Sequence, residues 1–308
     1  MTVVESFSTG LVFPECPRWH DGQLWSSDMW GRAVYRYAPD GTREKVVALD
    51  DEPGGLGWLP DGRMLVVSME QRLLLRVNVG GSADRRSEHE LASAPEDIED
   101  GAPVLHADLR DLAPASCNDL IVADDGTAYV SQFGYDLWTA GARPAPSPVI
   151  RVTAGGDVSV GAPDLMCPNG MALTDDGRTL LVAEAAASRI ARFRVAADGT
   201  LTDGDVFGEI PPKPGLRFAP PDGICLDAEG AVWMAEPVGK RVLRVAEGGA
   251  VLDELAFDFH PTAVVLGGPD RRTLYVCLAP HIDHGAPRED PRSRLDAVRV
   301  DVPGAGRP

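Results

Sequence analysis

The sequence predicts an all-β chain folded as a six-bladed β-propeller with four antiparallel strands per blade. Three observations lead there. A unit of apolar strand, Asp-Gly-like turn and second apolar strand recurs six times along 308 residues. Intervals of 51 and 53 residues separate the equivalent positions 118, 169 and 222, and periods of that size built from short strands mark propellers and related repeat arrays. Helix-period patterning is almost absent, which leaves an all-β ring as the architecture that fits.

The units follow one another in order. The first, "PECPRWHDGQLWSSD", places Glu15 one residue closer to its turn at Asp21-Gly22 than the other units do. "PGGLGWLPDGRMLVVS" has Gly54 at the equivalent place. "CNDLIVADDGTAYVSQ" sets Asn118 before Asp125-Gly126, and "CPNGMALTDDGRTLLVAE" sets Asn169 before Asp176-Gly177 at the same offset. "PDGICLDAEGAVWMAE" repeats that offset from Asp222 to Glu229-Gly230, and "HPTAVVLGGPDRRTLYVC" is a weaker sixth copy. The Asp-Gly pairs supply tight reversals between alternating apolar strands. A third alternating strand follows most units, as in "RAVYRY" (32–37) and "RIARFRV" (189–195).

Ring closure is also legible. Pairing "VVESF" (3–7) with "RLDAVRV" (294–300) would complete the sixth blade with the N-terminal strand and remove two exposed sheet edges. No linker divides the chain, so residues 1–308 read as a single propeller domain. The acidic stretch 87–109 reads as an outer strand or two with an extended loop.

Composition narrows the partners. With 29 basic and 47 acidic residues the net charge is -18, which argues against nucleic acid or an anionic membrane as partner. No stretch reaches the ~20 apolar residues of a membrane span, and the N-terminus lacks a basic and apolar leader pattern. A cytoplasmic monomer or homodimer acting on a small molecule is expected. Five cysteines at no zinc-like spacing fit reduced, buried packing residues.

In a propeller the first strand of each blade lines the central channel, and the Asp-Gly turns lie on the opposite face from the residues that start those strands. Glu15, Asn118, Asn169 and Asp222 therefore converge on one mouth from four blades. Two carboxylates and two amide oxygens in a narrow channel need compensation, because burying an unpaired charge costs several kcal/mol. A divalent cation supplies it. Oxygen donors favour calcium, magnesium or manganese over zinc, and a site completed by water suits the ~6–8 oxygens that calcium takes.

With these segments in view, the chain resembles the senescence marker protein 30, gluconolactonase and regucalcin family over essentially its whole length. "PECPRW", "NDL" at 118–120, "PNGMALTDDGRTLLVAE" and "PDGICLDAEGAVWMAE" carry the likeness. The resemblance implies Glu15, Asn169 and Asp222 as ligands of a divalent metal, Asn118 as a further ligand or substrate contact, and acid or base work for Asp222. It also implies hydrolysis of lactones of sugar acids or related cyclic esters. Sugar lactonases of the family often carry Arg two residues before the third-blade Asn. Here Ser116 takes that place, removing a contact to sugar hydroxyls while leaving the metal donors.

The expected function is therefore a metal-dependent lactonase, a carboxylic ester hydrolase, in which a nearby carboxylate helps activate water. Asp222 is the expected base, although direct attack by Asp222 is equally compatible with the pattern. A non-hydrolytic isomerisation or cyclisation, and a non-enzymatic propeller that binds a small molecule, are the alternatives. Substrate-side candidates are Ser116, Met29 and Trp30, with Phe133, Tyr135 and Trp138 on the long loop 132–148 as a partial lid. Glu184 and Glu236 read as strand-end residues paired with Arg189 and Lys240. No histidine has a matched partner, and no nucleophile elbow, phosphate loop or His-Glu-x-x-His motif is present.

Overall fold

A computed structural model describes residues 3–79, 101–137, 139–283 and 287–307. After strand β1 (Val4–Leu11), blade one holds β2 (Pro14–His20), β3 (Gln23–Asp28), β4 (Ala33–Tyr37) and β5 (Arg43–Ala48). Blade two holds β6 (Pro53–Trp58), β7 (Met64–Ser68), β8 (Leu73–Val77) and β9 (Pro103–Asp108). Blade three comprises β10 (Cys117–Val122), β11 (Ala128–Gln132), β12 (Pro146–Val152) and β13 (Val158–Met166). Blade four comprises β14 (Pro168–Leu173), β15 (Thr179–Glu184), β16 (Arg189–Val195) and β17 (Leu201–Glu209). Blade five is β18 (Ile224–Asp227), β19 (Val232–Glu236), β20 (Arg241–Val245) and β21 (Val251–Ala256). Blade six is β22 (His260–Gly267), β23 (Thr273–Ala279), β24 (Ser293–Arg299) and the returning β1.

The architecture is the six-bladed propeller that the repeats predict. Closure uses the predicted pair: β1 runs antiparallel to β24, with Val4 opposite Val298 and Leu11 opposite Ser293. Asp28 fastens the seam between closing strand and first blade, accepting the N–H of Phe13 at 2.7 Å. Of the acidic stretch, β9 completes blade two, and residues 80–100 lie outside the described residues.

Apolar packing is divided among the wedges between neighbouring blades. Ile121, Tyr129 and Val149 of blade three meet Met171, Leu180 and Val182 of blade four. Trp233 and Val242 of blade five meet Val264, Leu274 and Val276 of blade six. Each of these large buried side chains contributes about 1.5–3 kcal/mol. The alternation seen in the sequence thus feeds both flanks of every blade.

One element has no counterpart among the predicted ones. The C-terminal segment forms β25 (Gly304–Ala305), which adds a fifth strand beside β18 through Leu226 opposite Ala305 and Asp227 opposite Gly304. It continues to a bridge between Leu173 and Arg307, with the Gly306 N–H on Asp175 at 2.6 Å and an Arg307–Asp124 ion pair. This strap crosses the far ends of the inner strands on the side of the Asp-Gly turns.

At the other mouth the inner strands approach closely, and glycine permits it. A Cβ at Gly170 would stand 2.5 Å from the Asp222 carbonyl oxygen, and one at Gly223 would stand 2.3 Å from the Ala263 Cβ. Neither gap accepts a methyl group without moving the neighbouring blade. Gly170→Ala is expected to lower the unfolding free energy by about 3 kcal/mol. Gly177→Ala, at a turn with φ +66 and open space around it, should lose only about 1 kcal/mol. Urea denaturation of both variants measures this, and equal losses would contradict the close-approach account.

Candidate active site

The inner strands do not reach the mouth as regular β-structure. In β2 the register slips between Glu15 and Arg18, in β10 between Cys117 and Leu120, and in β14 between Pro168 and Met171. Ahead of β18, the Asp222 N–H bonds the Ala235 carbonyl at 3.0 Å while the Ala235 N–H bonds the Gly223 carbonyl at 3.0 Å, so two residues again oppose one. These are β-bulges, which turn a side chain away from the pleat. Asn118, Asn169 and Asp222 each occupy one, whereas Glu15 stands immediately before its bulge, in register opposite Ser27. The repeated offset to the Asp-Gly turn is the sequence trace of that repeated bulge.

Local backbone strain assists the aiming. Cys16 and Cys167 adopt φ of 48 and 55, in the left-handed region that non-glycine residues rarely enter. They flank the segments that present Glu15 and Asn169. All five cysteines are free and buried. Burial pushes the Cys117, Cys167 and Cys225 thiols up to about 12, in keeping with inert packing residues.

The four residues share one cavity of about 520 Å³ at the mouth. The Asn118 amide donates to the Asn169 side-chain oxygen at 2.8 Å, and Asn169 in turn bonds Asp222. Glu15 accepts the Cys16 N–H at 3.1 Å and lies against the Thr262 hydroxyl, which itself donates to the Pro14 carbonyl at 2.9 Å. Burial pushes the Glu15 carboxyl up to about 8, with the charge of Asp119 adding to the effect. Burial, and then the Glu15 charge, hold Asp222 well above the usual carboxylate range. Asp222 is the more open of the two to the cavity.

Beneath the mouth lies an ion pair that the sequence did not announce. Arg18 reaches from blade one, donating from Nε to the Leu56 carbonyl at 3.1 Å and from Nη2 to the Leu120 carbonyl at 2.6 Å, and it pairs with Asp119 at 2.5 Å. Three blades are thereby joined. Arg18 lowers Glu15 only weakly, since its contacts are committed to Asp119 and to backbone carbonyls.

A divalent cation fits this donor set. The Glu15 and Asp222 carboxyls and the Asn118 and Asn169 side-chain oxygens are hard donors facing one cavity, and a cation there would offset the burial that disfavours the ionised carboxyls. Among the described residues no group of three or more His, Cys, Asp and Glu side chains gathers to hold a metal. A cation here would therefore rest on two carboxylates supplemented by carboxamides.

The other expected residues divide. Met29, Phe133 and Tyr135 line the cavity, joined by Leu137 and Pro144 from the predicted lid loop. Trp138 lies outside the described residues. Trp30 does not reach the wall: it packs behind Phe13, ring centroids 4.4 Å apart, with the Arg288 guanidinium over its other side. Ser116 is likewise turned away, donating to Glu70 at 2.8 Å.

Glu184 accepts the Met166 N–H at 2.9 Å and pairs with Arg189, as expected of a strand-end residue. Glu236 pairs with Arg241 at 2.9 Å, not with Lys240, because Arg241 is its direct cross-strand partner. Lys240 Nζ instead donates to the Asp258 carbonyl at 2.9 Å. His260 is occupied by the Pro237 carbonyl at 2.8 Å and does not line the cavity.

Sequence reasoning missed Phe13, Thr262, Phe218, Val238 and Ile282, which also line the cavity. Only the proline-rich run "PPKPGLRFAPP" around Phe218 carried a signal, as a rigid loop placed just before an inner strand.

Known proteins share the sequence and the fold along nearly the whole chain. The chain is 27% identical to the pentonolactonase XacC of Haloferax volcanii, across 100% of this chain and 97% of that protein. It is 27% identical to a 6-deoxy-6-sulfogluconolactonase of Pseudomonas putida, across 96% of this chain and 94% of the relative. Its fold matches the crystal structure of a calcium-binding protein, regucalcin, from Agrobacterium tumefaciens with a TM-score of 0.74, at 20% identity over 100% of this chain and 97% of that one. Residues 13–280 match the model of the SMP-30/Gluconolactonase/LRE-like region. With 15 to 236 spanning all four converging residues inside that match, the chain belongs to the SMP-30/gluconolactonase/LRE-like family.

Proposed function

We propose that the protein is a divalent-metal-dependent hydrolase that opens a lactone, acting as one domain in a reducing cytoplasmic setting. The observation that carries this reading is the pair of buried carboxylates, Glu15 and Asp222, set with two carboxamides at the base of an open cavity. Likeness to two lactonases along nearly the full chain supports the same reaction class.

Glu15, Asn169 and Asp222, with Asn118 as a fourth donor, would hold the cation, and the all-oxygen set favours calcium. When bound, the ion supplies Lewis-acid polarisation of the ester carbonyl and charge for the oxygen that turns negative. Asp222 is the general base. Its carboxylate takes a proton as water attacks the carbonyl carbon, then returns it to the ring oxygen as the carbon–oxygen bond breaks. The product is an open-chain hydroxy acid. Glu15, fixed by the Cys16 N–H, positions the donor set, and the Asn118–Asn169 contact fixes the orientation of both amides. Apolar walls exclude bulk water and strengthen each of these interactions.

Chelation should abolish lactone turnover followed by pH-stat, and added calcium should restore it. Asp222→Asn is expected to reduce kcat/KM by roughly 10²–10⁴, and a variant within tenfold of wild type would reject the base.

Stability supplies an independent readout. In metal-free protein the Glu15 carboxyl lies at about 8 in the fold against an ordinary 4.5. An acid raised in this way stabilises the fold below its unfolded value and loses that contribution as pH climbs through the folded one. Metal-free wild type should therefore melt at progressively lower temperature as pH rises from 4.5 to 8. Asp222→Asn removes the charge that Glu15 opposes and should be more stable than metal-free wild type at pH 8, by about 1–3 kcal/mol. Calcium should raise the melting temperature of wild type far more than that of the variant, as differential scanning fluorimetry would register.

A further inference from the structure

Apart from the Tyr135 hydroxyl and the Cys167 thiol, the polar side chains lining the cavity lie at its base. Above Glu15, Asn118, Asn169, Asp222 and Thr262, the walls are built from aromatic, aliphatic and proline side chains. The wall hydroxyl of Tyr135 is engaged by the Cys167 thiol. No lysine, arginine or histidine lines the cavity among the described residues. The Ser116 hydroxyl, which could have offered a polar contact, is held by Glu70.

We infer that the cavity takes a lactone whose ring carries an apolar alkyl or aryl arm, in preference to one bearing hydroxyls or an anionic group. This rests on the lactone-hydrolase reading of the base. Every hydroxyl of a polyol substituent would leave water for a wall that offers, among the described residues, no charged side chain and only the engaged Tyr135 hydroxyl and Cys167 thiol, and each unpaired one weakens binding roughly five- to hundredfold. An anionic arm meets the same apolar wall without a counter-charge, in a protein whose net charge is -18. An alkyl arm gains instead from every methylene it buries. The volume, about 520 Å³, lies inside the range of roughly 300–1,000 Å³ common for sites that enclose small organic ligands.

Phe218 marks where the arm leaves the base. It is 53% exposed, unusual for a phenylalanine, and borders the cavity. The loop beneath it is braced: the Ala219 N–H donates to the Ser188 hydroxyl at 3.0 Å and Lys213 Nζ to the Gly239 carbonyl at 3.2 Å. A fixed aromatic at the rim is preorganised to cover an apolar substituent.

The test compares γ-lactones of one ring size, with n-alkyl arms of increasing length, against a pentono-γ-lactone, using metal-loaded full-length protein. Expected is a rise in kcat/KM of roughly three- to fourfold per methylene and at least a hundredfold preference over the polyol. Phe218→Ser should flatten the chain-length dependence. Hydrolysis of the polyol at an equal or higher rate would overturn the inference while leaving lactone hydrolysis in place. Non-hydrolysable alkyl and polyol γ-lactams, titrated calorimetrically, separate the two readings from the other side. Alkyl lactams that bind while no lactone is hydrolysed would uphold the apolar cavity and reject the hydrolase. Failure of alkyl lactams to bind more tightly than polyol lactams would overturn the apolar assignment.

Discussion

Two carboxylates that repel each other are held together at the point where the inner strands converge, and much of the surrounding structure exists to keep them there. Left alone, buried like charges would protonate or draw apart. The bulges at Asn118, Asn169 and Asp222 and the one just after Glu15 prevent the second outcome by making position a property of the backbone. Close contact between blades at Gly170 and Gly223 removes the slack that would let one group retreat. Below them the Arg18–Asp119 pair supplies rigidity without neutralisation, the Asp119 charge adding to the rise of both carboxyls. Burial raises both carboxyls, with the Glu15 charge adding to the rise at Asp222, and under the proposed function a hard cation would relieve that cost.

The fold was legible because its information is repetitive. Asp-Gly reversals and period-two strands recur, so a weak copy such as 260–277 could be recognised from its neighbours. The convergence of Asn118, Asn169 and Asp222 was legible for the same reason: a bulge repeated at one offset shows as a polar residue repeated at one offset. What could not be read are contacts made once. Arg18 finds Asp119 across two blade boundaries, and β25 spans only Gly304–Ala305 with no pattern to betray it. Met29 and Trp30 are adjacent in one turn, yet the first lines the cavity and the second packs behind Phe13. Glu236 was expected to pair with Lys240 and pairs with Arg241 instead. Strand register decided between them, and register is a property of two segments together.

Base and wall of the cavity answer to different constraints. The base is drawn from bulged residues of the inner strands, whose placement the ring dictates. Most of the wall comes from connections at the mouth, among them 133–145 and 211–222, and connections tolerate change in length and composition. Chemistry and selectivity can thus vary separately, and full-length relatives at 27% identity can share the first while differing in the second.

The pairing of β1 with β24 carries a consequence for how the molecule is made. During ribosomal synthesis β1 has no partner until residues 293–299 have emerged. Until then blade one presents an unsealed flank, and the apolar side chains destined for its wedge with blade six face solvent or a chaperone. Ring completion consequently waits on β24, and loss of residues 293–299 would strand an open ring in an aggregation-prone form.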